Sequence, residues 1–288
     1  MDSLISPLLM NEALLADIRA AAVEKTAFHL WWLGQSGFLI QWQGRHLLID
    51  PYLSDSLTSK YALTDKPHLR MTAIPIDPAR LDFIDVVTSS HNHTDHLDHE
   101  TLWPLMAVNP RMAMVIPEAN REFVATRLKC DPQWPHGLTD GTTVTAGGFS
   151  FTGLASAHEQ LDRDEQGNYR CLGYLIRFGG WTVFHPGDAV PYEGMAARLL
   201  ELQDGRRVDV ALMPINGRRP ERRVTGNFWG REAAQFAREI GAGIVIPMHY
   251  EMFTFNTEPP DELVASCAAI GQPYALLRCG ERWRSPEA

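Results

Sequence analysis

Residues 90–96 of the chain, SHNHTDH, hold three histidines and one aspartate within seven positions. At extended spacing His91 and His93 project to the same side, and a tight turn into a helix would bring Asp95 and His96 back toward them. Imidazole and carboxylate groups bind borderline divalent cations such as zinc and manganese. The run predicts a metal site, and the alternative is a solvated polar turn without a ligand.

Three further candidate ligands stand far from this run, each just after an apolar stretch that predicts a buried strand. They are His158, Asp188 and His249. Because sheet proteins present such residues at a common edge, we expect all three to approach residues 90–96. Taken singly, each is more often a structural histidine or a turn aspartate.

The elements that must position these residues follow from hydrophobic spacing. Residues 8–22 have the helical period, with Asn11 as the candidate cap, and residues 28–49 contain short β-rich runs separated by glycine-containing turns. Residues 50–78 are rich in proline and polar residues and predict a long surface loop. Strands then alternate with helices, so we expect a four-layered αββα sandwich, α/β in class, as a single domain over residues 1–288.

Composition excludes several classes of protein. The 288 residues carry 26 Lys plus Arg against 35 Asp plus Glu, a formal net charge of −9, which argues against nucleic acid and against a basic membrane-binding surface as partners. The four cysteines form no Cys-x-x-Cys pair and are expected to be free thiols. The N-terminal residues lack the pattern of a signal peptide, so we expect a cytoplasmic protein.

The candidate ligands and their neighbours also resemble a known fold. The run SHNHTDH, His158, the HPGD around Asp188 and the PMHY around His249 resemble, in order, the motifs of the metallo-β-lactamase fold of hydrolases. The resemblance implies a first metal held by His91, His93 and His158, a second held by Asp95, His96 and His249, and Asp188 bridging both. It gives catalytic roles to Asp188, which would position a water, and to Asp95, which would accept its proton.

A narrower likeness covers most of the chain. The runs WWLGQSGFLI, LIDPYLSDS, HPGDAVPYEGM, MPINGR and IPMHYEMFTFN are similar to the L-ascorbate-6-phosphate lactonase family and its relatives, whose members do not all share one substrate. This likeness implies one or two divalent ions as cofactor, with Mn²⁺ favoured, Zn²⁺ next and Fe²⁺ open. It also implies a homo-oligomer.

A centre of this kind supports several reactions. Two divalent ions about 3.5 to 4 Å apart lower the pKa of a bound water and polarise the attacked group. We expect the hydrolysis of a small anionic metabolite, with lactone ring opening of a sugar-acid phosphate favoured. The alternatives are a phosphodiesterase of the N-acyl-phosphatidylethanolamine phospholipase D type and a non-catalytic metal- or ligand-binding member of the fold.

Candidate substrate-binding residues stand near the predicted strand ends. Arg218, together with Asn216, is expected to bind an anionic group, because arginine forks suit phosphate and carboxylate; the alternative is that Arg218 neutralises a neighbouring acid. His185 and Tyr250 are candidates for contact with the substrate. Glu159 is a candidate to orient His158 or to act as an acid near the leaving group.

Overall fold

The computed structural model describes residues 4–287, which form two mixed β-sheets packed face to face. The first sheet contains β1 (His29–Gly34), β2 (Gly37–Trp42), β3 (Arg45–Ile49), β4 (Val86–Thr88), β5 (Ala113–Pro117), β6 (His136–Leu138) and β13 (Arg282–Arg284). The second contains β7 (Thr143–Ala146), β8 (Phe149–Ala155), β9 (Leu172–Phe178), β10 (Trp181–His185), β11 (Val210–Pro214) and β12 (Ile244–Met248).

Both sheets combine antiparallel hairpins with parallel strands. The first runs in the order β13-β1-β2-β3-β4-β5-β6, and the second in the order β12-β11-β10-β9-β8-β7. Strands β3 to β6 are parallel, as are β10 to β12, whereas β1 to β3 and β7 to β10 pair antiparallel. The parallel strands place their carboxyl ends along one edge of each sheet, which is where chain-distant side chains can meet.

Helices cover the outer faces. They are α1 (Asn11–Ala21), α2 (Ser56–Tyr61), α3 (His99–Val108), α4 (Arg121–Leu128), α5 (Met195–Gln203), α6 (Gly230–Glu239) and α7 (Asp261–Ile270). Buried side chains of α1, α3 and α4 join the core on the outside of the first sheet, and those of α5, α6 and α7 pack with the second. The expected αββα sandwich is confirmed.

Strand β1 shows why two cores form. Its residues alternate: Leu30 and Trp32 enter the core between the sheets, whereas Trp31 and Leu33 enter the core under the helices. Because side chains of a strand point to opposite faces in turn, a strand buried on both faces is apolar at every position. The continuous apolar run of β1 thus places this strand in an inner layer.

Two expectations are adjusted by the structure. Helix α1 begins at Asn11, which is its first residue rather than its cap. Residues 50–78 do not form a surface loop throughout, because helix α2 lies within them and Tyr52, Leu53 and Leu57 are buried. Within residues 4–287, no helix combines the length and the apolar character needed to cross a membrane.

Helix α5 allows a direct test of the second outer layer. Leu199 is fully buried, whereas its neighbour Leu200 is 45% exposed. We expect Leu199→Ala to lower the free energy of unfolding by about 2–5 kcal/mol, because it leaves a cavity in a packed core. Leu200→Ala should change it by about 0.5 kcal/mol or less. Equal losses in guanidinium unfolding of the two variants would contradict this packing of α5.

Candidate metal centre

The candidate ligands meet at one edge of the sandwich. Residues 90–96 follow β4, and His158, Asp188 and His249 follow β8, β10 and β12. The turn before Asp188 requires glycine at position 187, since its φ is +66° and a Cβ there would lie 2.5 Å from Ser90 Oγ. That close approach fixes the HPGD turn against the loop of residues 90–96 and brings the two sheets' ligands together.

The first group contains three histidines. One ring nitrogen from each of His91, His93 and His158 lies within 4.8 Å of the others, and His158 Nε2 lies 3.1 Å from His93 Nδ1. The hydroxyl of Ser90 donates its proton to Asp50 and accepts from His91 Nδ1 at 3.0 Å. The Nε2 lone pair of His91 is therefore directed at the centre of the group.

The second group contains two carboxylates and two histidines. Atoms of Asp95, His96, Asp188 and His249 lie within 4.8 Å of one another. The Nε2 atoms of His96 and His249 are each 3.2 Å from an oxygen of Asp188. Because Asp188 Oδ2 is also 3.6 Å from His158 Nε2, its carboxylate reaches both groups, as expected of a bridging ligand.

A buried carboxylate behind the centre orients His96. Asp50 accepts from Thr88 Oγ1 at 2.7 Å and from the Ser90 backbone N–H at 3.1 Å. His96 Nδ1 lies 2.8 Å from Asp50 Oδ2 and must donate to it, since a carboxylate only accepts. This contact fixes the tautomer of His96 and leaves its Nε2 lone pair for a metal.

The electrostatics of the centre follow from burial and from the two carboxylates. Burial lowers the pKa of His158 to about 4, so its imidazole is neutral at pH 7. Burial opposes the charge on His249 as well, but Asp188 and Asp95 outweigh it and raise that pKa to about 9. Burial would raise the pKa of Asp188, but His249 and His96 hold it well below its usual range. The centre therefore offers ionised carboxylates beside imidazoles.

These residues fit one or two divalent ions. His91 Nε2 and Asp188 Oδ1 are buried and have no hydrogen-bond partner in the described part of the chain. Leaving such atoms unpaired costs about 1–3 kcal/mol each, and a cation would satisfy them both. The donor set, nitrogen and carboxylate oxygen without thiolate, suits zinc, manganese or iron.

A cavity of about 550 Å³ opens over both groups. Its floor includes His93, Asp95, His158, Asp188 and His249. Its wall comes from α2 and the residues after it, from α4, and from residues 223–225 and 253–256, and includes Lys60, Lys66, Tyr61, His68, Phe123, Arg127, Arg223, Val224, Phe253 and Asn256. The volume is that of a site for a small molecule.

Comparisons with known proteins agree with this architecture. A family model described as the β-lactamase superfamily domain matches residues 29–249. A UPF0173 metal-dependent hydrolase of Methanosphaerula palustris is 30% identical over 241 residues, covering 81% of this chain and 86% of the relative. The chain belongs to the metallo-β-lactamase superfamily. Within this superfamily it belongs to the UPF0173 family of metal-dependent hydrolases.

Other members support the same assignment. A UPF0173 metal-dependent hydrolase of Methanoculleus marisnigri is 28% identical over 227 residues, covering 78% of this chain and 81% of the relative. Among solved structures, Igni18, a metallo hydrolase from the archaeon Ignicoccus hospitalis, is 19% identical with a TM-score of 0.65, over 91% of this chain and 100% of that one. That likeness shows the fold.

The residues predicted from the sequence to bind substrate do not line the cavity. Arg218 forms a two-pronged ion pair with Glu232, both distances being 2.6 Å, which is the alternative that the sequence left open. Asn216 is fully buried, donates to Asn256 Oδ1 and accepts from Asn227 Nδ2. The partners that occupy these two side chains are distant from them in sequence.

His185, Tyr250 and Glu159 are likewise displaced from their predicted roles. His185 is buried, with Nε2 beside the Ser36 carbonyl and Nδ1 accepting from the Gly187 N–H. Tyr250 stacks on Trp32 and donates its hydroxyl to the Leu277 carbonyl. Glu159 is exposed and outside the cavity wall, and His158 Nδ1 faces the Gly226 carbonyl instead.

Other side chains at the centre were not predicted from the sequence. Gln35, in the turn between β1 and β2, contacts Asp95 and His249. Asp50, at the end of β3, had a usable signal, because an aspartate after the apolar run LLI stands at a strand end like the ligands themselves. Lys60 and Arg127 carried no signal, since isolated cations of this kind are common on helix surfaces.

Asp50 offers a test of how the centre is held. We expect Asp50→Asn to lower the affinity for metal about 10- to 100-fold, because the amide cannot accept from all the donors around it and His96 loses its orientation. Chelator competition measures this affinity. Asp98→Asn is the matched control, since Asp98 is a buried carboxylate that caps α3 and contacts no ligand side chain. Asp98→Asn should lower the stability of the fold without changing the affinity for metal. Equal losses of metal affinity in both variants would contradict the role of Asp50.

Proposed function

We propose that this hydrolase acts on a small anionic substrate, and that its favoured reaction is the lactone ring opening of a sugar-acid phosphate such as L-ascorbate 6-phosphate. One observation carries the proposal: the wall of the metal cavity holds the cations Lys60, Lys66, Arg127 and Arg223 in a chain whose formal net charge is −9. A local concentration of positive charge on an acidic protein indicates an anionic ligand.

Only Arg223 of these cations pairs with a carboxylate among residues 4–287. Lys60 and Arg127 contact the ligand loop instead. Lys60 Nζ donates to Thr94 Oγ1 at 3.1 Å, and Arg127 Nη1 donates to the Asn92 carbonyl at 2.7 Å. Both contacts are with the loop that carries His93 and Asp95. Their charges therefore stand beside the ligand loop and are available to a phosphate or carboxylate of the substrate.

The other two cations contact one another's segments. Arg223 is neutralised by Asp65, whereas Lys66 donates to the Arg223 backbone carbonyl and has no acidic partner in the described residues. These contacts connect the segment after α2 to residues 223–225. We propose that Lys66 and Arg223 mainly shape the cavity wall. Lys60 and Arg127 bind the anionic group of the substrate.

The reaction follows from the order of these groups in the cavity. Divalent ions bound at the floor would activate water and polarise the attacked carbonyl oxygen. Asp188, held ionised, would orient the attacking water, and Asp95, which lines the same cavity, would accept its proton. The apolar wall residues Phe123 and Phe253 help to exclude bulk water, which strengthens the attraction between the cations and the substrate.

The reaction is tested on protein stripped of metal and reconstituted separately with Mn²⁺ and Zn²⁺. We expect metal-dependent opening of L-ascorbate 6-phosphate, followed by the loss of lactone absorbance or by chromatography. His93→Ala, treated identically, should lose this turnover because it removes a ligand from the first group.

The same preparations are offered bis-p-nitrophenyl phosphate and unphosphorylated lactones. Turnover of the phosphodiester alone would show that the protein is a phosphodiesterase and not a lactonase. Loaded and folded protein that is inactive on every substrate would favour a binding protein of this fold and overturn the proposed reaction.

Lys60 tests the anionic substrate separately. We expect Lys60→Met to raise KM for the phosphorylated lactone about tenfold or more, because a charge-assisted hydrogen bond of about 1.5–3 kcal/mol is lost, with little change in kcat. KM for the unphosphorylated lactone should not change. Lys25→Met is the control, since Lys25 lies outside the cavity and donates to the Ala22 carbonyl. An unchanged KM of Lys60→Met for the phosphorylated lactone would show that Lys60 does not bind the substrate.

A further inference from the structure

The side-chain amide of Gln35 lies inside the second group of candidate ligands. Its terminal nitrogen, Nε2, is 2.7 Å from Asp95 Oδ2 and 3.0 Å from His249 Nε2. The two atoms that it approaches are among those that would face a metal. The amide of Gln35 therefore lies among the atoms that would hold the second ion.

The backbone holds Gln35 in this place. The residue has a φ of +49°, in the left-handed region that glutamine rarely adopts, and it is 1% exposed. Its carbonyl accepts from Trp32 Nε1 and from the His249 N–H, both at 3.0 Å, and His249 itself has a φ of +65°. Backbone strain of about 1–3 kcal/mol per residue persists at functional sites where the surroundings enforce it.

The other amide atom of Gln35 points to its role. Oε1 is buried and has no hydrogen-bond partner in residues 4–287. Rotating the terminal amide by half a turn exchanges oxygen and nitrogen without changing its shape. That rotation would place an unpaired acceptor where the nitrogen now lies, facing the ion.

A bound ion favours the rotated form. When Asp95 Oδ2 and His249 Nε2 bind a metal, their lone pairs are directed at the ion and not at the amide nitrogen of Gln35. An N–H directed at a cation is repelled by it, whereas an amide oxygen is a normal ligand for manganese and similar ions. Metal binding therefore removes the reason for the nitrogen to face inward and adds a reason for the oxygen to do so.

The spacing of the ligand atoms allows Gln35 as a neighbouring ligand. Among the four residues already assigned, each histidine Nε2 lies 3.2 Å from Asp188, and Asp95 Oδ2 lies 3.6 Å from His249 Nε2 and 3.8 Å from His96 Nε2. The amide of Gln35 lies 2.7 and 3.0 Å from two of these atoms. Adjacent ligands in an octahedron with bonds of about 2.1 Å lie about 3.0 Å apart, so Gln35 has the separation expected of an added ligand.

We propose that Gln35, through Oε1, is a fifth protein ligand of the second metal ion and biases this ion toward Mn²⁺ over Zn²⁺. With Gln35 the second group supplies three oxygen and two nitrogen donors, whereas zinc prefers four ligands in a tetrahedron. The inference rests on the two-ion centre that underlies the proposed function. It is independent of the substrate.

The test is a metal titration of the whole protein with Gln35→Met, which removes the oxygen, and Gln35→Glu, which replaces the amide with a carboxylate. Bound Mn²⁺ is counted from the loss of the free-ion signal in electron paramagnetic resonance, and Zn²⁺ affinity is measured by chelator competition. Gln41→Met is the matched control, because Gln41 is buried on β2 of the same hairpin and neither of its amide atoms has a hydrogen-bond partner within residues 4–287.

We expect Gln35→Met to weaken binding of the second Mn²⁺ about tenfold or more, with a smaller loss for Zn²⁺ and none for the first ion. Gln35→Glu should bind the second Mn²⁺ at least as tightly as the parent protein, and Gln41→Met should equal the parent. These two Gln35 variants separate a ligand from a hydrogen-bond donor, because a glutamate cannot donate to Asp95 and would repel it.

Other results would overturn the proposal in distinguishable ways. Equal weakening in Gln35→Met and Gln35→Glu would make Gln35 a donor that positions Asp95. Unchanged binding in both variants would leave Gln35 without a role toward the metal. A parent protein that takes up one ion would overturn the fifth ligand while leaving a one-ion hydrolase, and a parent that takes up none would also overturn the metal centre.

Discussion

Three buried carboxylates, Asp50, Asp95 and Asp188, at one edge of the sandwich set the main constraint on this protein. A buried charge is costly unless it is paired, and here the pairing comes from histidines and, in the loaded protein, from cations. Asp50 is satisfied within the protein by Thr88, Ser90 and His96. Asp188 keeps an oxygen without a hydrogen bond in residues 4–287, and a bound cation would satisfy it.

That constraint accounts for the local backbone. The loop of residues 90–96 must turn sharply for four of its side chains to converge, and Gly187 must approach Ser90 closely for Asp188 to join them. Gln35 and His249 hold left-handed conformations on opposite sheets and are joined by a backbone hydrogen bond. The sheets supply rigidity, and these two left-handed residues direct side chains into the second group of ligands.

The sequence predicted the fold and the members of the ligand cluster because both follow from local patterns. The histidines and aspartates that could bind metal follow apolar strands, and the ends of parallel strands meet at one edge of a sheet. The contacts of Arg218 and Tyr250 could not be predicted, because each side chain is engaged by a residue that pattern alone does not bring near, Glu232 in one case and Leu277 in the other. Gln35 was not predicted because a glutamine in a hairpin turn is ordinary until the fold places it beside His249.

The metal ligands and the residues of the cavity wall belong to different parts of the fold. The candidate ligands follow strands, so their positions are tied to sheet register and to the core. The cavity wall comes from α2 and the residues after it, and from residues 223–225, which pair with one another through Arg223 and Asp65. These segments form no part of either sheet, so their residues are less constrained by strand register than the ligands are, although Thr225 contacts His158. That difference is why a shared centre indicates a hydrolase, whereas its substrate must be inferred from the wall.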